Sequence, residues 1–124
     1  MPLLDSSVHI LLVEDDEVDI QNIQRAFKKH NVPNPLHVAR NGAEALDKLY
    51  GQNGEPKLDP LPKIILLDIN MPKINGIEFL KTIRSDEVFK SSVVFMLTTS
   101  NEERDKLSAY NLNVAGYILS LIHI

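Results

Sequence analysis

The sequence contains neither cysteine nor tryptophan. Without cysteine the chain can form no disulfide bond and no thiolate metal site, which agrees with a reducing compartment. No apolar run approaches the roughly 20 residues that a membrane-spanning helix needs. Residues 1–7 also lack the basic segment, followed by a long apolar stretch, that marks a signal peptide. We therefore expect a cytoplasmic chain that does not enter a membrane.

Basic residues are also in the minority. The 13 lysines and arginines are outnumbered by 17 aspartates and glutamates, which gives a formal net charge of -4. Because binding to nucleic acid phosphates requires a basic face, this balance argues against direct contact with nucleic acid. A length of 124 residues suffices for one domain with a real core, but not for two.

Three short apolar runs organise the chain, and each one stops at polar residues. They are Ile10–Val13 before Glu14 and Asp15, residues 64–67 before Asp68, and residues 93–97 before Thr98. Runs this short, without polar alternation, predict strands that are buried on both faces, as in parallel sheets. Two more short strands are predicted at residues 36–38 and 115–119.

Segments with helical spacing of apolar residues separate these strands. The first predicted helix spans residues 16–30, with Ile20, Ile23 and Phe27 on its inward face, and the second begins at Asn41, with Ala43, Leu46 and Leu49 or Tyr50 inward. The third carries Ile77, Leu80 and Ile83 or Arg84 on its inward face. The fourth spans residues 100–110. Residues 51–62 are rich in glycine, proline and asparagine, and they predict an exposed loop. This alternation predicts an α/β domain with a parallel sheet wound on both faces.

Polar side chains should meet at one edge of this sheet, because the carboxyl ends of parallel strands lie together. Glu14, Asp15 and Asp68 would repel one another there unless a cation neutralised them, and hard oxygen ligands suit Mg2+. Each residue also has a simpler explanation. The acids after the first strand favour the start of a helix, Asp68 can initiate a turn, and Thr98 can merely end a strand.

Several short motifs occur in order along the chain, at residues 12–16, residues 66–72, Gly76, Thr98 and residues 116–117. Together they resemble the receiver domain of two-component response regulators, over nearly the whole span from residue 8 to residue 119. The loop at 51–62 and residues 97–100 look more particularly like single-domain regulators partnered with phytochrome-type or hybrid histidine kinases. The resemblance implies a flavodoxin-like, five-stranded parallel sheet in the order 2-1-3-4-5.

The resemblance also implies a role for each residue of the site. Asp68 would accept a phosphoryl group from a phosphohistidine of a sensor histidine kinase, and the domain would act by switching its protein contacts rather than by substrate turnover. Asp15, Asp68 and the main-chain carbonyl of Asn70 would hold Mg2+, with Glu14 assisting through water. The Thr98 hydroxyl would donate to a phosphoryl oxygen, and Tyr117 would then turn inward.

The sequence departs from the family pattern at Ser120, where receivers carry a lysine. One interpretation is an atypical receiver. We favour another, in which the receiver domain spans residues 1–119 and residues 120–124 are a non-native tail, since residues 119–124, back-translated, match a common transposon-end sequencing adapter. The chain would then lack the family's fifth helix and be marginally stable, because that helix covers apolar surface.

Three other functions compete with an active receiver. A phosphatase of the haloacid-dehalogenase type needs an acidic residue where this chain has Asn70. A flavodoxin-like module that binds phosphate needs serine, threonine or glycine after the first strand, where this chain is acidic. A degenerate receiver could serve only as a docking surface that is independent of phosphorylation. The four histidines show no helical metal-ligand spacing, and we assign them to structure or surface.

Overall fold

Strands and helices alternate along the part of the chain that the computed structural model describes, which is residues 7–68, 76–98 and 116–119, with backbone alone for Thr98 and for residues 116–119. The elements are β1 (Ile10–Val13), α1 (Glu17–Lys29), β2 (Leu36–Ala39), α2 (Gly42–Tyr50), β3 (Ile64–Asp68), α3 (Gly76–Arg84), β4 (Val93–Thr98) and β5 (Gly116–Leu119). None of the described helices is long and apolar enough to span a bilayer.

The five strands form one sheet in the order β2-β1-β3-β4-β5, and all pairs are parallel. This order confirms the predicted flavodoxin-like α/β fold. β1 lies between β2 and β3, so the loops after β1 and β3 leave the sheet side by side at its carboxyl edge. The predicted helix at 100–110, the predicted lack of a fifth helix and the tail at 120–124 lie outside the described residues.

Helix α1 forms as its sequence predicts. Asp16 caps its start by accepting hydrogen bonds from the backbone N–H groups of Val18 and Asp19, at 2.8 and 3.1 Å. Such a cap satisfies donors that have no partner within the helix. Ile20 and Ile23 are buried against the sheet. Their burial fixes the start of α1 beside the end of β1.

Of the inward face predicted for α2, Leu46 and Leu49 are confirmed and Ala43 was wrong. Asn41 accepts a hydrogen bond from the backbone N–H of Glu44 at 2.8 Å, so the helix begins at Gly42. From that start the inward stripe follows the helical repeat through Ala45 and Leu49, which are fully buried, whereas Ala43 is only half-buried. Leu46 packs at the border of the same core.

The expectation that the strands are buried on both faces holds for β1 and only in part for β3 and β4. On the side covered by α2 and α3, the inward residues of the two strands are completely buried: Ile65, Leu67, Val94 and Met96. On the side of α1, Leu97 is buried, but Leu66 and Phe95 are half-buried and Val93 is 42% exposed. Among the described elements, only α1 packs on that side, which accounts for the difference.

Residues 51–62 contain no helix or strand and are mostly exposed, as predicted, with a few residues turned inward. Gly51 ends α2 in the left-handed conformation, with φ of 69°, which favours glycine. The backbone N–H of Leu58 donates to the carbonyl of Lys48 at 2.9 Å, and Leu58 and Leu61 pack against the core. The loop therefore covers the amino edge of the sheet.

Candidate functional site

Three carboxylates meet at the carboxyl edge of the sheet. Glu14 and Asp15 follow β1 directly, and Asp68 is the last residue of the adjacent β3. One carboxylate oxygen from each of the three lies within 4.8 Å of the others. The cluster forms because two neighbouring parallel strands end in acids at the same level, and the structure therefore brings these predicted residues together.

Glu14 is the buried member of the cluster, with 4% of its surface exposed. Its backbone N–H donates to the carbonyl of Ala39 at 2.9 Å, which ties it to β2. Its carboxyl oxygen accepts from the backbone N–H of Asp16 at 3.1 Å, and its carboxyl group also hydrogen-bonds Asp68. Contacts on several sides thus hold the Glu14 carboxyl in place, whereas Asp15 is exposed and Asp68 is half-buried.

The electrostatics of the cluster favour a cation. Burial, and next the charge of Asp68, raise the pKa of Glu14 to about 9. A carboxyl group whose charged form is disfavoured to this extent holds its proton at neutral pH. The proton relieves the repulsion between Glu14 and Asp68, and a metal ion in the same place would do so with two positive charges.

The donor set fits a hard divalent ion. Carboxylate oxygens of this kind are the ligands that Mg2+ takes in proteins, commonly one or two of them together with water and phosphate oxygens. Within residues 7–68, 76–98 and 116–119, this is the one group of three or more acidic or histidine side chains with metal-ligand spacing. The exposure of Asp15 leaves the cluster open to solvent and to an incoming group.

The other predicted site residues are described less fully. Thr98 is the last residue of β4, one position beyond Leu97, which pairs in register with Asp68. The backbone therefore places Thr98 at the same edge as the carboxylates. Tyr117 lies on β5 in register with Met96. Asn70 lies outside the described residues, as do the side chains of Thr98 and Tyr117.

Two polar contacts were missed from the sequence. At the carboxyl edge, the guanidinium of Arg40 pairs with Glu17, at the start of α1, and lowers the pKa of the Glu17 carboxyl. At the amino edge, the rings of His9 and His37 contact each other. The partners are 23 and 28 residues apart, so that no local spacing pattern signals either contact.

The parallel sheet with acids at its carboxyl edge has the architecture that the sequence motifs led us to expect. Residues 10–121 match the family described as response regulator receiver domain, and the chain belongs to that family. It is a phosphoacceptor receiver domain of two-component signalling. Receiver domains bind a divalent metal ion and receive their phosphoryl group from histidine kinases.

Known relatives agree with this assignment. Response regulator Rcp1 of Synechocystis sp. is 38% identical over 109 residues, which cover 88% of this chain and 74% of Rcp1. A solved two-component response regulator from Legionella pneumophila is 47% identical, with a TM-score of 0.81 over 94% of this chain and 88% of that one. The bacteriophytochrome response regulator AtBRR is 34% identical, with a TM-score of 0.87 over 94% and 84%. Rcp1 has itself been solved in a Mn2+-bound form, which is 35% identical with a TM-score of 0.76 over 90% and 80%.

Proposed function

We propose that Asp68 is the residue that accepts the phosphoryl group. The observation that supports this role most strongly is the convergence of its carboxylate with Glu14 and Asp15, all within 4.8 Å. A phosphoryl group brings further negative charge, so its acceptor has to lie where a cation can be held. Asp68 is the half-buried member of the cluster and ends the central β3, which fixes its position.

The transfer that we propose exchanges one bond to phosphorus for another. A carboxylate oxygen of Asp68 attacks the phosphorus of a phosphohistidine, and the new O–P bond forms as the P–N bond of the donor breaks. The leaving imidazole nitrogen takes up a proton from solvent. Asp68 then carries an acyl phosphate, whose later hydrolysis by water returns the free carboxylate.

We propose Mg2+ as the metal of this site. Asp15, Asp68 and the main-chain carbonyl of Asn70 would hold the ion, with Glu14 assisting through water. When bound, it would offset charge on the phosphoryl oxygens. The Mn2+-bound form of the relative Rcp1 supports a divalent ion here, and the donor set of oxygens alone supports Mg2+ over softer metals.

The switch that we propose rests on Thr98 and Tyr117. The Thr98 hydroxyl would donate a hydrogen bond to a phosphoryl oxygen, and Tyr117 would turn into the space that Thr98 leaves. Their positions, at the end of β4 and on the neighbouring β5, support this coupling. Phosphorylation can shift the protein between two states only through contacts that differ between them.

We propose a phytochrome-type or hybrid sensor histidine kinase as the phosphodonor. The likeness to the bacteriophytochrome response regulator AtBRR supports the phytochrome type. The output would be a protein contact made in the cytoplasm, without turnover of a substrate. Candidate kinases can be purified and labelled with a phosphoryl group on their histidine. The rate at which each kinase transfers this label to the chain would identify the donor.

The proposed domain boundary is residue 119, with residues 120–124 as a non-native tail. The support is the adapter match of residues 119–124 and the serine at position 120 where receivers have lysine. The family match itself extends to residue 121. Amplifying the gene from its source and sequencing past codon 119 tests the boundary. A native gene that encodes the same five residues would overturn it.

The test of the acceptor is the intact mass of the protein after incubation with Mg2+ and a small phosphodonor such as acetyl phosphate. We expect the wild type to gain one phosphoryl group and Asp68→Asn to gain none. Asp47→Asn is the matched control, because Asp47 lies on α2 and its side chain bonds only neighbouring loop residues in the described contacts. A gain in Asp68→Asn would refute the acceptor. No gain in a folded wild type would favour a docking module instead.

A further inference from the structure

The amino edge of the sheet carries a pair of histidines. His9 directly precedes β1, and His37 lies on β2. His9 Nδ1 and His37 Nε2 are 2.8 Å apart, and the two rings meet edge to edge with centroids 5.0 Å apart and nearly parallel planes, at an interplanar angle of 18°. A contact this short between two ring nitrogens requires a proton on one of them and a lone pair on the other.

The charged groups around the pair do not favour a state in which both rings are positively charged. From α2, Lys48 acts on His37 with a positive charge, and its own Nζ is bridged to Glu55 at 3.1 Å and to Glu44 at 4.0 Å. From the chain entering β3, the backbone N–H of Lys63 donates to the carbonyl of His9. Burial, then His9, then Lys48 lower the pKa of His37.

The number of protons on the pair decides whether the contact survives. Two neutral rings carry two protons, one of which bridges the facing nitrogens. A third proton binds an outer nitrogen of the donor ring and leaves the bridge intact. A fourth proton has to occupy the facing lone pair, which removes the acceptor and places two positive rings in contact. The contact between the two rings therefore survives when one proton is added to the neutral pair, and it is lost when two are added.

The pair also lies at the start of an edge strand. Among the described strands, β2 is an edge strand and bonds to β1 alone. The hydrogen bonds near His37 include those from Asn34 Nδ2 to the carbonyl of Val8 and from the backbone N–H of Ile10 to the carbonyl of Pro35, each of 2.9 Å. Opening the histidine contact would loosen this end of the sheet first.

We propose that His9 and His37 form a proton-sensitive latch, which holds the start of β2 against β1 near neutral pH and releases it when both rings become charged. The release is distinct from the phosphoryl switch, because it acts at the opposite edge of the sheet. Its direction follows from linkage. The unfolded chain binds protons at the ordinary histidine pKa of about 6.5, whereas folding lowers the pKa of His37, and stability therefore falls as the pH drops below about 6.5.

Amide hydrogen exchange in the full chain tests the latch. From about pH 7.5 to about pH 5, we expect the protection factors of Leu36–Ala39 to fall by at least roughly tenfold, the value of one unit in a histidine pKa, while those of Ile64–Asp68 change less. In His37→Gln this extra loss in β2 should disappear. His30→Gln is the matched control, since His30 is exposed at the end of α1.

Two further measurements keep the test decisive if His37→Gln does not fold. His9→Gln removes the same contact from the other side, and nitrogen-15 spectra of the wild-type rings report their protons directly. The latch predicts that the two rings titrate in two separate steps, the second together with the loss of protection in β2. Independent titration of both rings near the ordinary pKa, or an equal loss of protection in wild type and variant, would overturn it.

Discussion

The two ends of β1 each carry a cluster of like ionisable groups, and comparing them shows two ways in which a fold limits repulsion. At the carboxyl end, Glu14 and Asp15 meet Asp68, and the cluster has donors for a metal ion. At the amino end, His9 meets His37, and their contact requires a proton on one facing nitrogen and a lone pair on the other. The first cluster is relieved by gaining a cation and the second by excluding one. The carboxyl end should therefore respond to Mg2+, whereas the amino end should respond to acid and not to Mg2+.

The largest expected effect is the change in stability on adding Mg2+, which should depend on the carboxyl end of β1 and not on the amino end. At a free concentration about 100 times Kd, Mg2+ should stabilise the wild type by about 2.7 kcal/mol. Asp15→Asn should lose most of this gain in stability. Mutating even a residue that only hydrogen-bonds a metal ligand lowers metal affinity by about 10–100-fold, and Asp15 is itself a proposed ligand. Without Mg2+ the same variant should be no less stable than wild type, since it carries one acid fewer in the cluster. Urea unfolding with and without Mg2+, at constant ionic strength, measures both.

His37→Gln is the control for this prediction, because it alters the other end of the strand. Its gain from Mg2+ should equal that of the wild type. If Asp15→Asn still responded fully to Mg2+, the carboxylate cluster would not be the metal site, and the contrast between the two ends would fail.

The next effect loosens the amino edge through the loop that covers it. Gly51→Ala should destabilise the fold by about 2 kcal/mol, because the left-handed conformation strains an alanine and its Cβ would lie 2.6 Å from that of Lys57. Gly54→Ala is the matched control, with a positive φ but open space around the Cβ. It should lose about 1 kcal/mol. Thermal unfolding distinguishes the two, and equal losses would show that the close approach to Lys57 does not matter.

The smallest expected effect concerns an exposed contact between α2 and the turn before β4. The hydroxyl of Tyr50 donates to Asp86 at 2.7 Å and is the main cause that lowers the pKa of Asp86. A depressed carboxyl pKa adds stability above the unfolded pKa, and that stability is lost as the pH falls through the folded pKa. Tyr50→Phe should therefore be slightly less stable than wild type at neutral pH and equal to it in acid. A difference that persisted in acid would assign the effect to the packing of Tyr50 on Phe89.

The sequence was most informative where local pattern and topology agree. Short apolar runs followed by Asp15 and Asp68 sufficed to predict parallel strands with acids at one edge, because the carboxyl ends of parallel strands lie together. The order that makes the first and third strands neighbours came from the family resemblance. The caps of α1 and α2 at Asp16 and Asn41 were likewise predictable, since side chains of this type bond nearby backbone N–H groups.

Contacts between distant residues were not predictable. The pairing of His9 with His37 depends on the register of β1 against β2, which neither segment reveals alone. The inward face of α2 was wrong at Ala43 because a shift of one residue rotates the stripe by about 100°. The predicted roles of Asn70, Thr98 and Tyr117 came from the family resemblance, and they remain predictions.

The most direct test of the central claim locates the phosphoryl group on a single residue. Acyl phosphates are reduced by borohydride, which converts a phosphorylated aspartate into homoserine and leaves free carboxylates intact. After incubation with Mg2+ and acetyl phosphate, reduction and peptide mass mapping should find homoserine at position 68 alone, and none when Mg2+ is removed by a chelator. Homoserine at Asp15 or elsewhere, or formation that does not depend on Mg2+, would contradict the assignment of Asp68 as the acceptor beside a metal.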